Sequence, residues 1–452
     1  MAYVSKRGRR PIEKASKSSH SYVIKDSDVQ YFLSNCDLPK TTEEIDANHF
    51  NTFEINQLDS REIQRVIAFD GSYREISVRN DFPSSKIAFF QLGASFFKVS
   101  DLDEIHELSF IDEEDMESLR QIERLKFVIP IKGISLDGET SLTKSVRKTV
   151  YDVFMNKPDE SNYFIDTLKW FIYKEYKGKE RSDTDLSYQL GSCPNINCEK
   201  RAINLSFKEM SSDGIFNCPE CKGEIYLTDV FRLHEAIDEE LGAGGILGYV
   251  VTLMEQIFII HIIKLMLQTK SSLLNETMFI KDGPLAFFGQ TANMHKLMRE
   301  MINYLIDKRN LFLIGLEKSG SFVEHADKIK NKLKKGEALL LDNNYIYKYI
   351  LPGKADPENP YASTSYYSGK VIYKDNNERI YVATLPTKDA KVILNPKKED
   401  YRNIDIILTN IEKLKCDMYD DALLPVALVN KLISLADHPS STILEKFAKS
   451  NI

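Results

Sequence analysis

The chain has 452 residues, 42% of them apolar and 28% charged, with a formal net charge of −7. That length exceeds what one simple core accommodates, so a large domain with inserted or appended pieces is expected. The acidic balance excludes a generic polybasic nucleic-acid coat, although a local basic groove can sit within an acidic total.

Residues 1–25 carry Lys6, Arg7, Arg9, Arg10, Lys14, Lys17 and Lys25 against Glu13 alone. Having few large apolar side chains, this basic tail is predicted to be a disordered, solvated arm. It shows charge without the apolar stretch of a secretory signal. Residues 26–176 read as the first part of the core. A helical lead-in covers 26–62, and strands follow at 66–70, 75–78 and 87–99, the first two joined by a turn at Gly71-Ser72. Residues 101–124 are acidic and read as helix, as does the aromatic stretch 145–176, which holds the single tryptophan, Trp170.

Residues 177–190 have the charged composition of a linker, and a cysteine module follows at 191–228. Cys193-x4-Cys198 and Cys218-x2-Cys221 are nineteen residues apart, each pair on a tight turn helped by Pro194 and Pro219. Four thiolates on two turns match tetrahedral zinc in a closed structural site, so a zinc-ribbon insertion is predicted, protruding to contact nucleic acid or protein. Six cysteines of which four fit a metal pattern suit a reducing cytoplasm, with Cys36 and Cys416 as ordinary buried thiols.

The second part of the core spans 229–452. A long helical region at 229–270 contains the one membrane-like run, 241–263, but this includes Glu255 and His261. A charge near a bilayer centre costs about 2.5–3.5 kcal/mol, so a buried core helix is predicted and no membrane span. His261 reads as a satisfied core histidine. Further on come a strand at 277–282, a helix at 294–308, a strand at 311–315, β runs at 370–373, 379–384 and 404–408, and a closing helix at 425–436. Strands, then helices, then strands again give an α/β class with a mixed sheet flanked by helices.

Two acidic signatures carry the chemistry: Ala68-Phe69-Asp70-Gly71-Ser72 and Lys281-Asp282-Gly283-Pro284-Leu285. Each places an aspartate at the end of an apolar run. Two carboxylates at the ends of core strands are what a two-metal phosphodiester site needs, since hard cations take oxygen ligands. Asp-Gly is also simply a good turn dipeptide. Glu255 stands alone in an apolar helix and requires a compensating partner, a metal or a base, if it is buried. Lys318, in Gly315-Leu316-Glu317-Lys318-Ser319-Gly320, also follows a buried strand and is placed to hold a phosphate. Tyr361, Tyr366 and Tyr367 are candidates for stacking on single-stranded bases. The sequence contains no G-x-x-x-x-G-K-[ST] loop, so ATP hydrolysis of the P-loop kind is not expected.

The order Ala-x-Asp-Gly-Ser, a Glu in a long helix, Asp-Gly-Pro-Leu, then strand-Gly-x-x-Lys-Ser resembles the NurA nucleases. The segment Leu423-Leu424-Pro425-Val426-Ala427-Leu428-Val429-Asn430 is similar to their closing proline-containing helix. The resemblance implies a ribonuclease-H-like core and a manganese (or magnesium) site. It also implies 5′→3′ exonuclease and single-strand endonuclease activity on DNA, and a homodimer working with a HerA-type hexameric ATPase. It makes Asp70, Glu255 and Asp282 the metal ligands and Lys318 a phosphate contact. Asn430 stands where the family commonly presents a histidine, with Asp420 or Asp421 as substitutes. The zinc insertion departs from the family and suggests a subgroup used in DNA end processing or defence against phage. The alternatives are a catalytically silent adaptor that binds nucleic acid or the ATPase, and an actin-like phosphotransferase. The second would need another glycine-rich phosphate loop, and 20 glycines in 452 residues offer no convincing one.

Overall fold

The computed structural model describes residues 23–46, 50–56, 63–79, 84–101, 121–156, 163–415, 423–435 and 440–451. Most of the basic tail, residues 102–120, Cys416, Asp420 and Asp421 lie outside the described residues. The chain begins with α1 (Ser27–Ser34) and β1 (Thr52–Glu54), then three long strands, β2 (Arg65–Ser77), β3 (Lys86–Lys98) and β4 (Gln121–Lys132). Helices α2 (Leu142–Met155) and α3 (Phe164–Ile172) lead to the cysteine module, which contains β5 (Ser187–Ser192), β6 (Arg201–Ser206), β7 (Ile215–Asn217) and β8 (Glu224–Tyr226). Helix α4 (Leu247–Thr269) returns the chain to the core for β9 (Thr277–Asp282), α5 (His295–Arg309), β10 (Phe312–Glu317) and α6 (Ser321–Ile329). The remainder comprises β11 (Glu337–Leu340), α7 (Asn343–Tyr349), β12 (Ser368–Lys374), β13 (Ile380–Pro386), α8 (Ile404–Lys413), α9 (Leu424–Ile433) and α10 (Ser440–Asn451).

Among the described residues, nine strands form one mixed sheet in the order β1-β11-β12-β13-β10-β9-β2-β3-β4. β2, β3 and β4 are an antiparallel meander, and β9 and β10 run parallel to β2. Strands of the parallel centre are buried on both faces and read as unbroken apolar runs, Val66 to Phe69, Met278 to Ile280 and Phe312 to Leu316. Alternation sorts their side chains. Ile67, Phe69, Phe279 and Leu313 enter the cluster built with α2, α3, α4 and α5, where Phe69 stacks on Phe279 with ring centroids 6.1 Å apart. Val66, Ala68, Met278, Ile280, Ile314 and Leu316 face the opposite cluster, closed by α8 and α9.

Helix α4 is apolar almost all round because it is packed almost all round. It is long and apolar enough to cross a membrane, yet 78% of its most apolar window is buried inside the protein. His261 is a satisfied core residue as expected, its Nδ1 2.7 Å from Thr167 Oγ1.

Several expectations are corrected. The turn at Gly71-Ser72 does not form: β2 runs straight through it, pairing Gly71 with Leu92 and Ser72 with Gln91. Residues 121–124 are not helix but the start of β4, whose Leu125, Phe127, Ile129 and Ile131 alternate into the core. Residues 404–408 are helical, in α8, where Ile404, Ile407, Leu408 and Ile411 are buried at helical spacing. Between 229 and 246 the chain makes short 3-10 turns, and only from Leu247 is it a long helix. The predicted linker is structured by Asp185, which bridges Lys174 and Lys177 at 2.8 and 3.2 Å. Nor does the cysteine module protrude: Leu190, Ile203, Leu205, Phe216 and Ile225 join the main core cluster. Cys36 is exposed rather than buried.

Candidate active site

The C-terminal ends of adjacent parallel strands are where an open α/β sheet presents functional groups. Here β9 and β10 end side by side, next to the middle of β2, which runs on past Asp70 to Ser77. Phe69 of β2 is in register with Lys281 of β9, so Asp70 sits one strand, about 4.8 Å, from Asp282. Asp282 is in turn in register with Leu316 of β10, two residues before Lys318. Lys318 Nζ donates to Asp282 Oδ2 at 2.8 Å. By alternation both aspartates belong to the sheet face that carries Ala68 and Ile280, the side covered by α8 and α9.

Glu255 and Lys281 occupy the other face. Their side chains are 5% and 3% exposed and meet at 2.6 Å, so the lone helical acid is compensated by a lysine of the neighbouring strand. Lys281 Nζ also donates to the Asp282 carbonyl, tying this pair to the strand end. Gly71 lets α4 approach. A Cβ there would lie 2.7 Å from Val251 Cγ1 and 2.9 Å from Glu255 Oε1, which explains the glycine in a position where no turn is made. By contrast Gly283 does adopt a left-handed backbone, with φ of 93°, and turns the chain after Asp282. That turn is held by Thr384, whose Oγ1 accepts from the Leu285 amide at 3.0 Å and donates to the Gly315 carbonyl at 3.3 Å.

The electrostatics are those of a crowded acidic site. Burial, then the charges of Asp282 and Glu255, push the Asp70 carboxyl up from 3.8 to about 8, against the Gly71 amide and Lys318. Burial also raises Glu255, with Lys281 opposing. A carboxyl that is 9% exposed and costly to ionise beside a second carboxylate is a group that a cation would relieve. The donor set is all oxygen, which suits magnesium or manganese.

Asp70, Asp282 and Lys318 are thus brought to one locus, while Glu255 stays on the opposite face beside Gly71, near enough for its charge to act on Asp70. Asn430 is exposed on α9, and the described contacts do not join its side chain to either aspartate. The tyrosines are not a free stacking platform. Tyr367 is fully buried and donates to Gln256 Oε1 at 2.7 Å, while Tyr361 and Tyr366 pack on each other at 5.9 Å. Sequence reasoning missed the role of Lys281, although alternation along Lys281-Asp282 would have placed it opposite Asp282 and towards α4. Thr384 carries no local signal at all.

A second locus is the cysteine cluster. Among the described residues, Cys193, Cys198, Cys218 and Cys221 form the one group of three or more His, Cys, Asp or Glu whose ligand atoms lie within 4.8 Å of one another. The sulfurs of Cys193 and Cys221 are 3.9 Å apart, and those of Cys198 and Cys218 3.7 Å. A tetrahedron with metal–sulfur bonds of about 2.3 Å has edges of about 3.8 Å. Backbone amides point at the sulfurs, as that of Gly223 does at Cys221 over 3.4 Å. Although burial opposes it, the amides of Cys221 and Glu220 help bring the Cys218 thiol down to about 7.

The sequence matches no protein-family model and no curated protein. Two solved structures align along nearly the whole chain. One, the NurA nuclease from Sulfolobus solfataricus, is 8% identical over 96% of this chain and 97% of its own, with a TM-score of 0.34. The other, a NurA, is 14% identical over 97% of this chain and 98% of its own, with a TM-score of 0.24. Likeness at that level leaves the chemistry to be argued from the strand ends themselves.

Proposed function

We propose that this chain is a divalent-metal-dependent DNA nuclease on a ribonuclease-H-like core, with a structural zinc in its cysteine module. The observation that carries the reading is the pair Asp70 and Asp282 on adjacent parallel strands, one of them strained by burial and like charge. The antiparallel meander β2-β3-β4, extended by parallel β9 and β10 on its first strand, fits such a core. Asp70 and Asp282 would hold manganese or magnesium, with Glu255 as a further ligand only if it left Lys281 on the opposite face. A cation bound there supplies an activated water and charge neutralisation at the leaving oxygen. Lys318, on Asp282 at 2.8 Å, would be placed to steady the scissile phosphate, and Lys281 would fix Glu255 and the Asp282 carbonyl. Asn430 is exposed on α9 and would at most orient a water or phosphate; it cannot act as a general base.

The motif resemblance extends the proposal to 5′→3′ exonuclease and single-strand endonuclease activity. It also extends to a homodimer acting with a HerA-type hexameric ATPase, in the cytoplasm, in DNA end processing or defence against phage. The test is degradation of end-labelled linear DNA with manganese, magnesium or EDTA, with and without a HerA-type hexameric ATPase. Cleavage that needs manganese or magnesium and disappears in Asp70→Ala supports the proposal. Cleavage at the wild-type rate by Asp70→Ala refutes the site. Elemental analysis should give about one zinc per chain.

A second reading, a catalytically silent adaptor, is favoured by the lysines. Glu255 is already neutralised by Lys281 and Asp282 by Lys318. Absence of cleavage under every condition, with the ATPase still bound, would select it.

A further inference from the structure

The cysteine cluster is joined to the core by a polar relay that the metal-binding pattern itself does not require. Arg147, on α2 and 8% exposed, grips Asp229 with two hydrogen bonds of 2.8 Å, from Nε and Nη2. Its Nη2 also donates to the Glu224 carbonyl at 3.0 Å, and its Nη1 donates to Asn195 Oδ1 at 3.3 Å. That last bond decides which way the Asn195 amide points. With Oδ1 turned to the guanidinium, Nδ2 faces the sulfurs and donates to Cys193 Sγ at 3.4 Å and Cys221 Sγ at 3.7 Å. Gly223 makes room for this amide, since a Cβ there would lie 2.6 Å from Asn195 Nδ2.

We propose that Arg147 and Asn195 are positioning residues of the cysteine metal site, and that through them the bound metal fixes the α2 platform of the core. The proposal rests on the reading of the four cysteines as a metal site. Thiolates bound to a divalent ion carry excess negative charge, and amide hydrogens directed at sulfur disperse it. Groups that orient first ligands in this way commonly change metal affinity by 10–100-fold when removed. A guanidinium suits the position because its planar fork holds Asp229 with two bonds while a further N–H reaches Asn195, a geometry an ammonium does not reproduce. The relay also runs in reverse. When the sulfurs lose their metal, the charge that draws the Asn195 amide weakens, leaving Nδ2 with the Glu224 carbonyl at 3.3 Å, and the bond from Arg147 Nη1 to Asn195 Oδ1 loosens while Asp229 still holds the guanidinium. Helix α2 packs on α3, which carries Trp170, so loss of the metal should be visible in the fluorescence of the single tryptophan.

The experiment uses the full chain. Metal content of the wild type is measured first, and then the rate at which a chromophoric chelator takes up zinc is followed together with Trp170 fluorescence. Asn195→Ala and Arg147→Lys should each release zinc about 10–100-fold faster than wild type. The control is Tyr151→Phe, which deletes a 3.1 Å bond to the Asp213 carbonyl at the same interface without touching the sulfur relay. It should release zinc at the wild-type rate. Wild-type release rates in both Asn195→Ala and Arg147→Lys, or equal acceleration in Tyr151→Phe, would overturn the proposal. A wild type without metal would instead overturn the cysteine-site reading beneath it. Should Arg147→Lys not fold, Asn195→Ala decides alone, because its side chain is only half-buried.

Discussion

Replacing Asp70 by Asn should make the metal-free protein more stable at alkaline pH, the reverse of the usual effect of altering a buried polar residue. In the native state the Asp70 carboxyl titrates near 8, above the usual 3.8. Between those values the folded chain binds the proton that the unfolded chain has released, so stability falls as pH rises. The contribution of the neutral acid is complete below about pH 4 and lost by about pH 8. The slope is at most about 1.4 kcal/mol per pH unit, and the accumulated cost at pH 8 is about 2–5 kcal/mol. Asn carries no charge and escapes this cost. For a chain of 452 residues, unfolding entropy scales to about 1 kcal/mol per degree, so Asp70→Asn should melt about 2–5 °C above wild type at pH 8 in EDTA. The gap should shrink towards pH 5. Manganese should raise the wild-type melting temperature and leave the variant unchanged. The check is differential scanning fluorimetry across that pH range. Equal pH slopes, or an Asp70→Asn variant that melts below wild type at pH 8 in EDTA, would refute the electrostatic reasoning.

Gly71→Ala should cost about 1–3 kcal/mol in denaturant unfolding, because the new methyl has to displace Val251 or Glu255; a neutral result would mean that α4 does not approach β2 this closely. Lys281→Met should cost about 3–5 kcal/mol by leaving Glu255 buried without its partner, and adding Glu255→Leu should restore most of the loss. If the double variant is no more stable than the single, the pair is not the origin of the effect. Lys318→Ala breaks a half-exposed pair and should change stability by less than about 1 kcal/mol while lowering the cleavage rate about 100-fold. Unchanged kcat in Lys318→Ala would remove that lysine from the site.

The end of β9 at Asp282 was legible in the sequence because an apolar run that stops at a carboxylate is a local feature, and so were the four cysteines, whose spacing alone specifies a cluster; the same pattern at Asp70 suggested an end where β2 runs on to Ser77. What failed did so for physical reasons. Asp70-Gly71 has the composition of a turn, but its glycine answers to a helix packed from far along the chain, which no local pattern encodes. β4 alternates charged and apolar residues after an acidic stretch, and the acids drew the reading towards helix. The short apolar run at 404–408 suits strand and helix equally until Ile411 extends the helical spacing. The Glu255–Lys281 pair joins residues on a helix and a strand, and burial of both became visible only in the packed structure. The cysteine module was expected to stand apart because its boundaries are polar, whereas its strands bury Leu190, Ile203 and Ile225 against the body of the protein.

The central claim is that Asp70 and Asp282 jointly hold a divalent cation, and manganese titration followed by electron paramagnetic resonance tests it most directly. Wild-type protein at pH 7.5 should remove free manganese from the spectrum saturably, and Asp70→Asn and Asp282→Asn should each abolish that binding while remaining folded. Undiminished manganese binding by both variants would contradict the account.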